Sequence, residues 1–184
     1  CFTSATATIN GNSVLSASIG NSQDPTCWNY CNGEIEILVS GGVPNINGSG
    51  NNMYNYQWND ILLQTTQTAI GLCVDEVLNT STFNCTITDA LGCTTMQSYT
   101  LNQPEKLEVS ATQTNQILCF GGNEASLSVS STGGNTGTVT YTWNTGQSSP
   151  ATSLNNLSAA TYVVIAIDIL GCMDTTDFTI GEPP

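Results

Sequence analysis

The 184-residue sequence contains no histidine, no arginine and a single lysine, Lys106, against 14 aspartate and glutamate residues. Its formal net charge is −13 at pH 7. Nucleic-acid binding depends on Lys and Arg contacts to phosphate, so DNA and RNA are not expected partners. An anionic membrane surface is excluded for the same reason. Because histidine is the commonest general base and metal ligand, most catalytic schemes lack their central residue.

Long apolar runs and enzyme motifs are missing as well. No stretch approaches the roughly 20 apolar residues that a membrane-spanning helix needs, so we expect no membrane insertion. The sequence has no Gly-x-Ser-x-Gly, His-Glu-x-x-His or phosphate-binding loop. Glu34 and Glu36 lie on one outward strand face, where charged residues keep a sheet edge soluble. We therefore expect a protein that is not an enzyme.

What the sequence does contain is an internal repeat. The step from Cys1 to Cys27 is 26 residues (27 − 1), and the step from Cys93 to Cys119 is again 26 (119 − 93). The copies are offset by 92 residues (93 − 1), and an Asp-x-x-Gly-Cys turn ends at Cys93 and again at Cys172. Such a period predicts a tandem array of small domains. Because Cys1 takes the place of Cys93 and Cys172, we expect the sequence to begin within a preceding copy.

Alternating apolar and polar residues dominate each copy, which indicates β-strands. Ile35 and Ile37 alternate with glutamates, and Trp58 and Trp143 end matched Tyr-x-Trp strands that we predict to face a core. Each copy carries about seven short strands with frequent turns, the pattern of an immunoglobulin-like sandwich. The predicted fold class is all-β: tandem immunoglobulin- or PKD-like antiparallel β-sandwich domains stabilised by disulfides.

The repeat register also predicts the domain boundaries. Residues 1–12 are expected to be the trailing strand of a preceding repeat. A first β-sandwich repeat is expected over residues 14–104, with insertions near 45–52 and 74–81. A second β-sandwich repeat follows over residues 106–184.

The eight cysteines are predicted to be structural, because the closely spaced pairs of a zinc site are missing. Some cysteines recur together in both copies, and others are lost together from copy two. Joint gain and loss is the pattern that a disulfide produces. The predicted pairs are Cys27–Cys93, Cys119–Cys172 and Cys31–Cys73.

Two cysteines remain outside these pairs. Cys85 stands alone where copy two has Val164, which favours a buried free thiol. The alternative pairing is Cys73–Cys85, which leaves Cys31 single. Cys1 is expected to bond to a cysteine upstream of this sequence. Bridges of this kind predict an oxidising, extracytoplasmic setting.

Several short motifs follow one another in the same order in both copies. Copy one carries Thr26-Cys27-x3-Cys31-Asn32-Gly33, Tyr54-x-Tyr56-x-Trp58 and Asp89-x-x-Gly92-Cys93. Copy two carries Cys119-Phe120-Gly121-Gly122, Tyr141-x-Trp143 and Asp168-x-x-Gly171-Cys172. As an ordered set they resemble the SprB-type repeat of large bacterial cell-surface gliding adhesins. The resemblance implies an immunoglobulin- or PKD-like sandwich, export to the cell surface, and a role in adhesion or gliding within a long filament.

Four aspartates are candidate calcium ligands, because hard cations prefer carboxylate oxygens. Asp89 and Asp168 open turns, where an Asx-type turn is the favoured interpretation, and Asp174 and Asp177 lie near the end of copy two. None belongs to a dense calcium loop, so no cofactor is expected and calcium is kept as an alternative. Thr175 lies in an Asp-Thr-Thr sequence that resembles the O-glycosylation signal of the same bacterial group.

The preferred functional interpretation is structural: tandem sandwiches in an extracellular surface adhesin or filament. The expected partners are neighbouring repeats of the same chain and identical chains in a filament. One alternative is a module that binds a glycan or a protein through the copy-one insertions and nearby aromatic residues. The candidate contacts for such a ligand are Trp28, Tyr30, Met53, Tyr54, Asp75 and Glu76. A further alternative is an accessory domain of a secreted hydrolase.

Overall fold

The computed structural model describes residues 13–46, 52–146 and 152–184. In this part of the chain every regular element is a β-strand, so it contains no helix that could cross a membrane. The strands, in chain order, are β1 (Ser16–Gln23), β2 (Gly33–Ser40), β3 (Asn45–Ile46), β4 (Asn52–Met53), β5 (Asn55–Trp58), β6 (Thr68–Leu72), β7 (Thr80–Thr88), β8 (Thr94–Asn102), β9 (Glu108–Asn115), β10 (Ala125–Thr132), β11 (Thr140–Trp143), β12 (Ser153–Leu157), β13 (Ala160–Ile167) and β14 (Met173–Ile180). The expected trailing strand over residues 1–12, with Cys1, lies outside the described residues.

Unit 1, the first of two compact units, comprises the described part of Cys1–Asp24 together with Asn32–Leu72 and Ser81–Leu101. Its two main sheets each have three strands, in the orders β1-β2-β6 and β5-β7-β8. A short antiparallel pair, β3 with β4, lies within the first predicted insertion.

Unit 2 comprises Pro25–Cys31, Cys73–Thr80 and Asn102–Pro184. Its two sheets are antiparallel, with strand orders β12-β10-β9 and β11-β13-β14. The predicted boundaries therefore differ from the units at two short segments. Pro25–Cys31 and Cys73–Thr80 come from the first sequence repeat, but they belong to unit 2.

The two units repeat one strand plan at stepwise offsets. β1 and β2 recur 92 residues later as β9 and β10 (108 − 16 and 125 − 33), and β5 and β6 recur 85 residues later as β11 and β12 (140 − 55 and 153 − 68). β8 recurs 79 residues later as β14 (173 − 94). The steps of 7 (92 − 85) and 6 (85 − 79) are the net lengths of the two insertions. The predicted all-β tandem arrangement of immunoglobulin-like sandwiches is confirmed.

The core of unit 2 forms where apolar side chains of both sheets meet. Leu127 and Val129 on β10 pack in one buried cluster with Trp143 on β11 and Val164 on β13. Side chains on a strand alternate between its two faces, so each of these strands buries one face in the cluster. Trp143 therefore lies in the core, as predicted.

The core of unit 1 uses the equivalent positions. Ile35 and Ile37 on β2 are buried, as are Trp58 and Cys85 on the other sheet. The indole N–H of Trp58 donates to the Thr66 carbonyl oxygen at 2.9 Å, so this buried polar group is satisfied. The predicted core role of Trp58 is confirmed, and the thiol of Cys85 occupies the place of Val164.

Candidate functional site

Two disulfides lie within unit 2 and define the candidate site. Cys27 is bonded to Cys172, with 5.5 Å between their Cα atoms and a sequence separation of 145. Cys31 is bonded to Cys73, with 4.1 Å between Cα atoms and a separation of 42. The second bridge is the pair that the sequence predicted, and it excludes the alternative Cys73–Cys85. The first bridge joins a cysteine of the first sequence repeat to a cysteine of the second.

The predicted pairs Cys27–Cys93 and Cys119–Cys172 are wrong. Cys93 and Cys119 are exposed free cysteines, whereas Cys27 is only 4% exposed. The physical reason is where the segment before β2 packs: Pro25–Cys31 belongs to unit 2, beside the turn that ends at Cys172. Joint recurrence of two cysteines in a tandem array is equally satisfied by a bond to the next copy.

The Cys27 loop, residues 26–30, is a tight turn held by a buried glutamine. The Tyr30 N–H donates to the Cys27 carbonyl at 3.1 Å, and Asn29 takes a positive φ of 58°. The Asn29 N–H donates to Oε1 of Gln103 at 2.9 Å. Asn tolerates this left-handed conformation better than most residues. Gln103 is buried, and the sequence analysis did not identify its role.

The second insertion packs on the same glutamine. The side-chain amide of Gln103 donates to the Asp75 carbonyl at 3.3 Å and to Oδ1 of Asn79 at 3.2 Å. The Gln103 N–H donates to the Asn79 carbonyl at 3.0 Å, and the indole N–H of Trp28 contacts the Glu76 carbonyl at 3.5 Å. Asp75 also uses its carboxylate to accept backbone N–H groups within the insertion. The insertion thus supports the Cys27 loop.

The loop borders a hollow of about 230 Å³, which we call the unit 2 hollow. Its lining includes Trp28, Tyr30, Lys106, Leu107 and Met173. The Lys106 ammonium lies 5.7 Å from the centre of the Trp28 ring, within the range of a cation–π interaction. Two of the predicted ligand contacts, Trp28 and Tyr30, are therefore brought together here, beside the only lysine of the sequence.

An aspartate clamp positions Cys172. Oδ1 of Asp168 accepts the N–H groups of Leu170 and Cys172, at 2.9 and 3.0 Å. Its Oδ2 accepts both the backbone and side-chain N–H groups of Asn135, and the Asn135 amide also donates to the Thr26 carbonyl at 2.9 Å. Burial by itself raises the pKa of Asp168, but these hydrogen bonds outweigh it and lower the pKa overall. Asn135, which the sequence analysis missed, thus connects the Cys27 loop to the clamp.

Unit 1 contains the same clamp at Asp89. Its carboxylate accepts the N–H groups of Val43, Leu91 and Cys93 at 2.8–3.0 Å. The Val43 hydrogen bond is the largest of the effects that lower the pKa of Asp89. Both aspartates therefore act as Asx-type turn residues whose carboxylates are already occupied by N–H donors. Calcium binding at Asp89 or Asp168 has no support from this geometry.

The residues near the end of copy two lie on β14. Asp174 accepts the Val109 N–H at 2.7 Å, while Thr175 and Asp177 are exposed on the strand. Within the described ranges, no group of three or more His, Cys, Asp or Glu residues could hold a metal ion. An exposed Thr175 is accessible to a modifying enzyme, and its O-glycosylation remains a prediction.

The other candidate ligand contacts belong to unit 1. The Tyr54 hydroxyl donates to the Gly41 carbonyl at 2.8 Å, so it supports a turn of the sandwich. Met53 ends β4, and its side chain lies outside the described part of the structure. The predicted set of aromatic and acidic contacts is thus divided between the two units.

Cys85 is a free thiol inside the unit 1 core, as the sequence predicted. Burial raises its pKa to about 11. A thiol with so high a pKa is almost entirely protonated near neutral pH, and it is therefore neither a nucleophile nor a metal ligand. Its role is that of a small apolar residue.

Comparison with known proteins gives one family. Among solved structures, the IgVJ-C2 molecule of amphioxus is 13% identical, with a TM-score of 0.33 over 69% of this chain and 87% of that chain. DIP-gamma IG1+IG2 is 12% identical, with a TM-score of 0.34 over 90% of this chain and 97% of that chain. No curated protein matches the chain. Residues 111–148, within the second sequence repeat, match the family model of the SprB repeat, so the resemblance found in the sequence is confirmed over that segment.

Proposed function

We propose that this chain is a non-catalytic structural segment of an extracellular bacterial surface adhesin or filament, with SprB-type repeats in both halves. The observation that carries the proposal is the Cys27–Cys172 bridge, which joins two successive sequence repeats covalently. A stalk must transmit tension from repeat to repeat, and a bond of this kind does so without unfolding either sandwich. Disulfides persist in oxidising compartments, which supports export to the cell surface.

The mechanical consequence of the bridge can be stated as a length. Residues 28–171, which are 144 residues (171 − 28 + 1), lie between the bonded cysteines. When the chain is pulled from its two ends, tension bypasses these residues through the S–S bond. At about 3.5 Å per extended residue, the bridge withholds about 500 Å of chain from extension. A filament built this way resists lengthening even when a sandwich loses its fold.

Force spectroscopy on the 184-residue chain tests this behaviour. The oxidised chain should extend by the short flanking segments alone, and the variant C27S/C172S should extend by about 500 Å more. C31S/C73S is the matched control, because its closed loop lies inside the segment that the larger bridge protects. Equal extension of the oxidised chain and C27S/C172S would exclude the proposed tension path.

The cellular role needs its own experiment. An antibody raised against residues 1–184 should label thin extended filaments along the surface of the source cells. Cells carrying C27S/C172S in the parent protein should detach at lower flow than cells carrying C31S/C73S. Label confined to compact secreted particles would overturn the filament proposal and favour an accessory domain of a secreted hydrolase.

A second candidate function is protein binding by the second insertion. Val77 and Leu78 lie at its tip and expose most of their side chains, which is uncommon for large apolar residues. The variant V77S/L78S leaves Asp75 and Asn79 unchanged and so keeps the hydrogen bonds to Gln103. Loss of surface attachment in this variant, with unchanged filaments, would identify the tip as an adhesive contact.

A further inference from the structure

The two exposed cysteines are the repeat equivalents of the bonded pair. Cys119 lies 92 residues after Cys27 (119 − 27), the offset that relates β1 to β9. Cys93 lies 79 residues before Cys172 (172 − 93), the offset that relates β8 to β14. Both are free and exposed, whereas Cys27 and Cys172 are buried in their bridge. One half of the same junction is therefore present at each of two further places.

The Cys119 loop, residues 118–122, already has the conformation of the bonded loop. The Gly122 N–H donates to the Cys119 carbonyl at 2.9 Å, as Tyr30 does to Cys27. Gly121 takes a positive φ of 74°, and its N–H donates to Oε2 of Glu182 at 2.8 Å, in the place of the Asn29–Gln103 hydrogen bond. No rearrangement is needed for this loop to dock as the Cys27 loop does.

The apolar side chains of the Cys119 loop have no cover. Leu118 is 69% exposed and Phe120 is 76% exposed. Their equivalents in the Cys27 loop, Thr26 and Trp28, are each half-buried. A contiguous pair of large exposed apolar side chains beside an exposed thiol is the surface expected of an unoccupied interface.

The complementary surface lies in unit 1. Val14, Leu15, Leu91, Cys93 and Thr94 line a hollow of about 280 Å³, which we call the unit 1 hollow. Applying the offsets of 92 and 79 converts Leu15 into Leu107 and Cys93 into Cys172, both of which line the unit 2 hollow. The two hollows are thus the same surface in two copies of the repeat.

Burial shows that the unit 1 hollow lacks the loop that borders its counterpart. Leu107 is buried in unit 2, but its equivalent Leu15 is half-exposed. Cys172 is buried, but its equivalent Cys93 is exposed. The Asp89 clamp nevertheless holds the Cys93 N–H at 2.8 Å, as Asp168 holds Cys172 at 3.0 Å. The receiving side of the junction is preformed.

The residues that differ between the junctions differ in a matched way. Trp28 faces the cation Lys106 in the bonded junction. The equivalents are Phe120 in the Cys119 loop and Val14 in the unit 1 hollow, which is 85% exposed. An aromatic–cation pair is therefore replaced by an aromatic–aliphatic pair, and both new partners gain by leaving water. Val43 replaces Asn135, so the side-chain hydrogen bond to the docked loop is the one contact that has no counterpart.

We propose that the unit 1 hollow binds the Cys119 loop of a second copy of this chain, head to tail, and that Cys119 of one copy bonds to Cys93 of the next. The inference rests on the proposed function as a tandem array, and it names the contact by which copies are joined. Repetition of one heterologous contact generates an open filament. The same pairing joins successive repeats within one longer chain.

Bond formation requires an oxidant, and oxidised glutathione supplies it by thiol–disulfide exchange. The Cys119 thiolate attacks glutathione disulfide and releases one glutathione thiolate. The Cys93 thiolate of the second copy then attacks the Cys119 sulfur of this mixed disulfide and releases the second. Two protein thiols and one glutathione disulfide thus become one protein disulfide and two reduced glutathiones, with two protons passing to the released thiolates.

The experiment is oxidation of the purified 184-residue chain in a glutathione buffer, followed by non-reducing electrophoresis and peptide mass spectrometry. We expect a ladder of oligomers whose new bridge is Cys119–Cys93. C93S alone and C119S alone should stay monomeric as protein disulfides, and an equimolar mixture of the two should stop at the dimer. C85S, which removes the buried thiol, is the control and should give the full ladder.

A further variant separates docking from simple thiol collision. F120S should reduce the rate of Cys119–Cys93 bonding about tenfold or more, because the docked Phe side chain loses its apolar cover. Its Cys119 should react with a small thiol reagent as fast as in the unsubstituted chain. Equal yields of Cys119–Cys119 and Cys93–Cys93 dimers, or a monomer that loses both thiols to an internal bond, would overturn the proposal. Neither outcome touches the Cys27–Cys172 tension path, which force spectroscopy tests separately.

Discussion

Unit 1 and unit 2 share a strand plan, equivalent core positions and an aspartate clamp, but they use the cysteine after that clamp differently. Cys172 is buried in a bridge to the Cys27 loop, whereas Cys93 is an exposed thiol beside an open hollow. The local sequence around both cysteines is the same Asp-x-x-Gly-Cys turn. The difference lies in whether the loop of a preceding repeat is present. In this array the structural unit is therefore the junction between repeats as much as the repeat itself.

The support of the two loops differs as well. Gln103 holds the Cys27 loop and also binds the second insertion, which copy two lacks. Glu182 holds the Cys119 loop by a hydrogen bond from Gly121. The insertion thus adds hydrogen bonds at the junction that is already bonded. Its two exposed apolar residues, Val77 and Leu78, are the part that this support does not use.

The two bridges should contribute unequally to stability. On the loop-closure model, removing Cys27–Cys172 should lower the free energy of unfolding by about 5 kcal/mol, and removing Cys31–Cys73 by about 4 kcal/mol. The larger value follows from the separation of 145 residues against 42. Urea unfolding of C27S/C172S and C31S/C73S under non-reducing conditions measures both. A greater loss in C31S/C73S would mean that contacts around the smaller bridge, and not chain entropy, dominate.

The two core tryptophans test whether the units are equivalent in packing. W58A and W143A should each lower the free energy of unfolding by about 3–5 kcal/mol, because each leaves a large cavity in a buried cluster. W28A is the control, since Trp28 is half-buried at the hollow and should cost less. Chemical denaturation with circular dichroism measures the three variants. A loss confined to one of the core variants would show that the two sandwiches are not packed alike.

The aspartate clamps predict how stability depends on pH. The folded state lowers the pKa of both Asp168 and Asp89 from the usual 3.8. Their contribution is therefore complete above about pH 4 to 5 and is lost as the pH falls through the folded-state pKa. D168A should cost about 1–3 kcal/mol at neutral pH, because buried N–H donors lose their acceptor. D89A should cost less, because Asp168 also accepts the Asn135 side chain.

Thermal unfolding between pH 2 and 7 checks the clamps. The unsubstituted chain should lose stability steeply below about pH 4, and D89A/D168A should show a shallower acid loss. D177A is the matched control, since Asp177 is exposed on β14. An unchanged acid profile in D89A/D168A would assign the pH dependence to other carboxylates.

The sequence was sufficient for the features that depend on local pattern. Alternation placed Ile35 and Ile37 inside, matched strands placed Trp58 and Trp143 in the cores, and Asp-x-x-Gly identified the turns. These features follow from side-chain periodicity and turn chemistry, which act over a few residues. The same reasoning correctly left Cys85 unpaired.

The junction could not be predicted in this way. Two copies that gain the same two cysteines fit a bridge within a copy and a bridge between copies equally well, so Cys27–Cys93 and Cys27–Cys172 are indistinguishable from the register. The packing of Pro25–Cys31 in unit 2 decides between them. Gln103 and Asn135 were missed because their importance comes from hydrogen bonds to distant segments. The substitution of Val43 by Asn135 was the available signal.

The smallest effect is expected where the two cores differ by one side chain. C85V installs the copy-two residue in unit 1, and it should change the free energy of unfolding by less than about 1.5 kcal/mol, because volume and apolar character are kept. The thiol itself should resist alkylation in the folded chain, since burial raises its pKa to about 11, while the exposed Cys93 and Cys119 react. Mass spectrometry after timed iodoacetamide treatment counts the modified thiols, and denatured protein provides the control in which Cys85 also reacts. Rapid alkylation of Cys85 without denaturant would show that unit 1 opens its core more readily than its burial implies, and the comparison of the two units would then be one of dynamics.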